Sequence, residues 1–234
     1  MSVLVIAPHP DDETLGAGGT IARATAGGVP VTILTVAAHM PPLYSEETHQ
    51  QTVAEARRAH EILGVSDSRF LDIPAVFVRD TPVPELNGPI MDLVKELEPS
   101  IVLCPYPDRH VDHRAIFDAA MVATRPVGAG RAISLVAAYE TLSETHWNAP
   151  HIEPNFTPNW VVDITDAIDR KLDALACYES QIPPYPGPRS REAARALAQF
   201  RGTQAGFAYG EGFHIVRMTS GIDELVGGLQ PPGG

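Results

Sequence analysis

Short apolar runs without polar alternation recur along this chain, separated by segments of helical period. Residues 3–6, 31–37, 69–73, 101–104, 134–140 and 160–164 read as strands, the first and fourth buried on both faces of a parallel sheet. Residues 213–218 read as a last, edge strand. Between them the pattern predicts helices over 14–26, 52–63, 90–97, 114–124, 166–181 and 192–201. The second of these carries Val53, Ala56, Ala59, Ile62 and Leu63 on one face and stops at Gly64. Proline and glycine mark loops at 39–49, 81–89 and 182–188, and the 141–159 stretch has no clear period. A loop of that length in a compact domain is expected to wall a substrate site.

Strands alternating with helices at this spacing predict βαβ units, right-handed crossovers and a three-layer α/β/α domain with a mostly parallel sheet. One domain over residues 1–228 is expected, with 229–234 a disordered tail. In the usual doubly wound order the first and fourth strands lie side by side, where the winding reverses and ligands bind. The two sequence clusters richest in ligand-type side chains follow those two strands. They are His9-Pro10-Asp11-Asp12-Glu13 and Asp108-Arg109-His110-Val111-Asp112-His113. Acidic residues before a helix also cap it and offset its dipole. Two such clusters at the ends of adjacent strands call for more than capping.

His9, Asp12 and His113 make a 2-His-1-carboxylate set, the pattern of a catalytic metal with a position left open. Zinc fits that set, and so does Fe2+ or another divalent ion. Asp11 stands beside a ligand without being needed as one and is the candidate general base. His110 is the candidate oxyanion group and general acid, with Asp112 holding its tautomer. His39 is a candidate pocket residue, and Trp147, His146 and His151 are candidates to stack on a bound ring. Tyr178 and Gln181 read as structural, and His49, His60 and His214 as surface or core side chains.

Ala7-Pro8-His9-Pro10-Asp11-Asp12-Glu13, followed by Gly18-Gly19-Thr20 and paired with His110-Val111-Asp112-His113, closely resembles the PIG-L/LmbE-like metal-dependent deacetylases. The likeness continues through Glu55 to Gly64, Lys171 to Gln181 and, loosely, Tyr209 to Phe213. It implies a Rossmann-like fold, one divalent ion (usually zinc), and removal of an N-acetyl group from an N-acetylglucosamine-type sugar or conjugate. By position it assigns His9, Asp12 and His113 to the metal, Asp11 to the base, His110 to the oxyanion or acid role and Asp112 to orienting His110. Many members carry a substrate-contacting Arg where this chain has Thr52; Arg57, Arg58 and Arg109 are the candidates to stand in for it.

Composition narrows the partners. Formal charge is −12, from 29 acids against 17 bases, which disfavours nucleic acid and anionic membranes. Two cysteines, Cys104 and Cys177, fit a reducing compartment, and no apolar run reaches ~18 residues. A cytoplasmic enzyme acting on a small N-acetylated amino sugar is expected, with a homo-oligomer left open. Two rivals remain. One is a metal-dependent amidase for another amide, such as a thiol-sugar conjugate. The other is a nucleotide-binding module without hydrolase activity, although Gly16-Ala17-Gly18-Gly19-Thr20-Ile21 lacks the last glycine of the dinucleotide fingerprint. No G-x-S-x-G turn supports a serine hydrolase.

Overall fold

A computed structural model describes residues 1–149 and 151–220. The expected tail at 229–234, and the end of the expected 1–228 domain, fall outside the described residues. The strands are β1 (Val3–Ala7), β2 (Val31–Ala38), β3 (Asp67–Pro74), β4 (Ile101–Pro105), β5 (Leu135–Tyr139), β6 (Trp160–Asp163) and β7 (Gly210–Met218). The helices are α1 (Asp12–Ala26), α2 (Glu46–Leu63), α3 (Val83–Leu97), α4 (Val111–Ala123), α5 (Ile168–Leu175) and α6 (Arg191–Thr203). All seven strands form one sheet in the order β3-β2-β1-β4-β5-β7-β6. β1 to β5 pair in parallel, and β7 runs antiparallel to both its neighbours.

Every residue of β1 is buried, as the run without alternation predicts. Val3, Val5 and Ala7 face the core under α1, α2, α5 and α6, while Leu4 and Ile6 face the core under α3 and α4. The result is the expected three-layer, mostly parallel α/β/α fold. β1 pairs β2 on one side and β4 on the other, so the winding reverses between β1 and β4.

Four local expectations change. β7 lies between β5 and β6 and is not the edge strand; β6 takes the edge. α3 begins at Val83, inside the stretch expected as loop. Pro82 caps it, and Pro84 sits in the first turn, where a missing N–H costs nothing. Pro89 is tolerated on the exposed side because Leu86, Ile90, Leu93 and Val94 bury the opposite face. α2 starts at Glu46, six residues early, since the Ser45 hydroxyl accepts from the Thr48 N–H at 3.2 Å. α5 ends at Leu175, well before residue 181. The chain leaves the helix there so that Tyr178 reaches Glu13 and the Ser180 hydroxyl donates to Glu55 at 2.6 Å.

α1 approaches the sheet closely through its glycines. A Cβ at Gly16 would lie 2.2 Å from the Tyr139 ring, and one at Gly19 would lie 2.7 Å from Ile164. Those glycines are packing positions, and the first turn of α1 carries Asp12 and Glu13 where a phosphate would have to sit.

Candidate metal and catalytic site

Pro8-His9-Pro10 stops β1, and the turn into α1 passes through Asp11 at φ 118°, a backbone region that favours glycine. Such a conformation costs on the order of 1–3 kcal/mol and persists only when the surroundings over-determine it. Here the Asp11 N–H donates to Glu13 at 3.3 Å, and the Asp11 carbonyl accepts from Thr14 and Leu15 at 3.0 and 2.8 Å. Glu13 is itself fully buried, held by the Tyr178 and Thr14 hydroxyls, with His60 Nε2 at 3.4 Å. Tyr178 is therefore structural, as its sequence setting suggested.

β4 delivers the second cluster. His110 is the N-cap of α4, which starts three residues before the predicted Arg114, and this puts Asp112 and His113 in the first turn. The two strand ends meet as the sequence predicts. Asp12 Oδ2 lies 3.2 Å from His9 Nδ1 and 3.3 Å from His113 Nε2. Zinc bonds of about 2.0–2.1 Å at tetrahedral angles put ligand atoms about 3.3 Å apart, and each of these two separations matches that value. His113 Nε2 is buried and makes no hydrogen bond, while its Nδ1 faces Asp108 Oδ2 at 3.0 Å. An imidazole whose far nitrogen is tied to a carboxylate presents its lone pair on the near one, the arrangement of a metal ligand.

A second set also clusters: nitrogens of His9, His110 and His113 lie within 4.8 Å of one another. His110 is set apart by its hydrogen bond. Its Nδ1 accepts from the Asp112 backbone N–H at 3.2 Å, which in the neutral ring leaves the proton on Nε2. A nitrogen bearing a proton donates; it does not ligate. His9, Asp12 and His113 are then the candidate ligand set, and His110 a candidate donor.

The Asp112 carboxylate stands 4.0 Å from His110 Nδ1. It instead meets His9 Nε2 at 3.0 Å and accepts from the Val76 N–H at 2.7 Å. What holds the His110 tautomer is the Asp112 backbone, and what its carboxylate orients is His9.

Burial disfavours charge on all of these groups, and neighbours decide the outcome. The Asp112 and Asp12 carboxylates more than offset burial at His9 and raise it to about 9. His113 is likewise lifted to about 10, against burial, by Asp12 and Asp108. The pocket thus draws positive charge to these two rings, a demand a divalent cation would meet. Burial and then the facing His9 and His113 push His110 down to about 4, and burial with His9 lowers His39 to about 4. Asp11 is raised well above the usual carboxylate range by burial and the Asp12 charge, with Arg189 opposing.

His9, Asp11, Asp12, His39, His110 and His113 line a cavity of about 150 Å³, together with Gln181, Tyr44, Glu144 and Arg189. The candidate His39 is among the lining residues, its ring stacked 5.8 Å from His9. Gln181, read from sequence as structural, lines the cavity too. Thr52 is buried, its hydroxyl on the His49 carbonyl. None of the three candidate arginines enters. Arg57 stacks on Phe70, Arg58 donates to the Cys177 carbonyl, and Arg109 pairs with Glu144. The guanidinium that does enter is Arg189, 3.0 Å from Asp11 Oδ2. Of the long-loop residues, His146 turns away to Glu140, and Trp147 lines a separate cavity.

Sequence reasoning missed Asp108 and Arg189. Asp108 had a signal: an Asp two residues before the N-cap suits an Asx-turn, and its Oδ1 does accept from the His110 N–H at 2.9 Å. Arg189 had none, because its contact joins segments remote in sequence.

Known proteins resemble this chain over most of its length. The diacetylchitobiose deacetylase of Thermococcus kodakarensis is 30% identical over 92% of this chain and 82% of its own. The 1D-myo-inositol 2-acetamido-2-deoxy-alpha-D-glucopyranoside deacetylase of Rhodococcus jostii is 25% identical over 84% of this chain and 87% of its own. The conserved protein TT1542 from Thermus thermophilus superposes with a TM-score of 0.76 at 30% identity, covering 94% of this chain and 97% of that one. Residues 4–124, which hold both ligand clusters, match the PIG-L family, described as GlcNAc-PI de-N-acetylase. The chain belongs to the PIG-L family.

Proposed function

We propose that this protein is a zinc-dependent amide hydrolase that removes the acetyl group from an N-acetylglucosamine-type amino sugar or its conjugate. The observation that carries this is the placing of Asp12 Oδ2 between His9 Nδ1 and His113 Nε2, with the Asp11 carboxylate beside them in one cavity. Two relatives named as deacetylases of acetylated glucosamine compounds support the substrate class. His9, Asp12 and His113 would hold the ion. When bound, it supplies Lewis-acid polarisation and lowers the pKa of water towards ~7.

The chain's own residues do the rest. Asp11, kept basic by burial and by Asp12, takes the proton of the attacking water. His110, neutral with its proton on Nε2, donates to the oxyanion that forms as the carbonyl carbon becomes tetrahedral. A nearby cation would depress His110 further, so of its two expected roles the oxyanion role is favoured. The amine then leaves with the proton Asp11 collected as the C–N bond breaks, giving acetate and the free amino sugar. Asp112 and Asp108 are positioning residues that fix the rings of His9 and His113.

Metal analysis coupled to acetate and amine release over a panel of N-acetyl sugars tests this reading. Asp11→Asn should keep its metal and lose about 10²–10⁴-fold in turnover, the range for a positioned base. Unchanged activity in that variant refutes the assignment of Asp11. Release of a larger acid in place of acetate would point to the amidase of a thiol-sugar conjugate.

A further inference from the structure

The turn after β3 carries three successive N–H groups, and each has a partner. Ala75 donates to the Ala38 carbonyl at 2.9 Å, Val76 to the Asp112 carboxylate at 2.7 Å and Phe77 to the Pro74 carbonyl at 3.1 Å. Together they hold Val76 at φ 72°. Glycine adopts that conformation without steric cost, whereas a β-branched side chain is a rare outlier there. A glycine would place the same N–H on Asp112. The hydrogen bond that orients His9 through Asp112 therefore does not explain the valine.

Core packing does not explain it either. Val76 is 42% exposed, whereas Ala75 before it and Val78 after it are buried in the apolar core under α3 and α4. What the Val76 side chain lines is the catalytic cavity, beside Ala75. Strain held at a cavity wall, with no gain in core packing, belongs to what the cavity binds.

The rest of the lining defines which part of the occupant meets this wall. Apart from Ala75, Val76 and the ring of Tyr44, every lining side chain bears an imidazole, carboxylate, guanidinium or amide group. Tyr44 is set edge-on against His39, with 4.8 Å between ring centres. Ala75 and Val76 thus form the aliphatic wall of an otherwise polar site. In an N-acetylated amino sugar the acetyl methyl is the aliphatic group bonded to the reacting carbonyl carbon, and the hydroxyl-bearing ring lies on the other side of the amide. The cavity, at about 150 Å³, is below the ~300–1,000 Å³ of sites that engulf a whole ligand, which leaves little room past the wall for a longer acyl chain.

We infer that Val76 sets the acyl length this enzyme accepts: its methyl groups, with Ala75 beside them, meet the acetyl methyl and exclude propionyl and longer groups. The inference rests on the function proposed above.

Hydrolysis across an acyl series tests it. Glucosamine and its disaccharide, N-acylated with acetyl, propionyl or butyryl groups, are offered to zinc-loaded wild type, Val76→Ala and Val76→Gly, and release of the acid is measured. One methylene in a tight pocket is worth about 10–200-fold, so wild type should favour acetyl over propionyl by at least about tenfold in kcat/KM. Val76→Ala should bring that ratio within about threefold, and Val76→Gly should admit butyryl as well. Both variants keep the backbone N–H on Asp112, so their zinc content should match wild type. Thermal unfolding supplies a readout independent of activity. Val76→Gly should melt at or above the wild-type midpoint, because relief of the left-handed conformation offsets the extra freedom of glycine in the unfolded chain. A fall of more than about 4 °C would assign the valine to packing and overturn its role. A wild type indifferent to acyl length, or a ratio unmoved in both variants, overturns the inference and leaves the deacetylase reading standing. No acid released by wild type from either amine overturns the functional reading, and this inference with it.

Discussion

Replacing Asp108 by Asn probes the site through a residue that touches neither the proposed ion nor the substrate. Asp108 is fully buried and accepts three hydrogen bonds. Its Oδ1 takes the His110 N–H at 2.9 Å, and its Oδ2 takes His113 Nδ1 at 3.0 Å and the Thr145 hydroxyl at 2.8 Å. Asparagine keeps one oxygen and presents an NH₂ at the other position. If the NH₂ faces His113, that ring must accept on Nδ1 and carry its proton on Nε2, the nitrogen aimed at Asp12. Metal affinity then falls about 10–100-fold, the usual effect of losing such a partner, or about 1.4–2.7 kcal/mol. If the amide flips, its NH₂ meets the His110 N–H, and a buried donor is left unpaired at about 1–3 kcal/mol of stability. One of the two losses is unavoidable. Chelator competition with Zn2+ measures the first, and denaturant unfolding of the metal-free protein measures the second. Affinity within about twofold of wild type, together with stability within about 0.5 kcal/mol, would refute the reasoning.

Two further outcomes follow from buried carboxylates. Tyr178→Phe removes a hydroxyl donor from the fully buried Glu13, so unfolding stability should fall by about 1.5–3 kcal/mol with the denaturant slope unchanged; a loss under about 0.5 kcal/mol counts against the network. Glu140 is buried, yet paired hydrogen bonds from Arg201 at 2.6 Å and a contact from His146 at 3.0 Å outweigh burial and hold its carboxyl below its ordinary value near 4.5. A group depressed in the folded state contributes stability that is complete above that ordinary value and disappears as pH falls through the folded one. Glu140→Gln should therefore be less stable at pH 7 and show a shallower loss of stability below about pH 5; an unaltered slope would show that Glu140 is not the group responsible.

The layers, the parallel sheet and the meeting of the two ligand clusters were legible because each rests on a local pattern. β1 and β4 read as unbroken apolar runs, and the prolines after them fixed where the chain turns. Helix starts were harder to place. α3 runs through Pro84 and Pro89 because its apolar face outweighs the local penalty, and α4 starts early because His110 caps it. The direction and place of β7 were not legible, since an antiparallel strand inserted between β5 and β6 is decided by pairing across the sheet. In the site, residue types and spacing picked out the candidate ligands, and their partners needed coordinates. Asp112 sits beside His113 in either reading, but only the position of the Val76 N–H shows that its carboxylate turns towards His9. Arg189 reaches Asp11 from the loop before α6, where no pattern in the sequence marks it.

β7 also bears on how the protein is made. Glu211, on that strand, accepts from the Gly19 and Thr20 N–H groups at 2.8 Å each and from Lys171 at 2.6 Å, clamping the middle of α1. The proposed ligands leave the ribosome earlier, His113 by about a hundred residues and His9 and Asp12 by about two hundred, which at ordinary translation speed is about 5–40 s. During that interval the imidazoles and carboxylates are present while the helix that carries Asp12 has no clamp. Loading the ion into a finished frame waits for the final strand of the sheet to slot in beside β5.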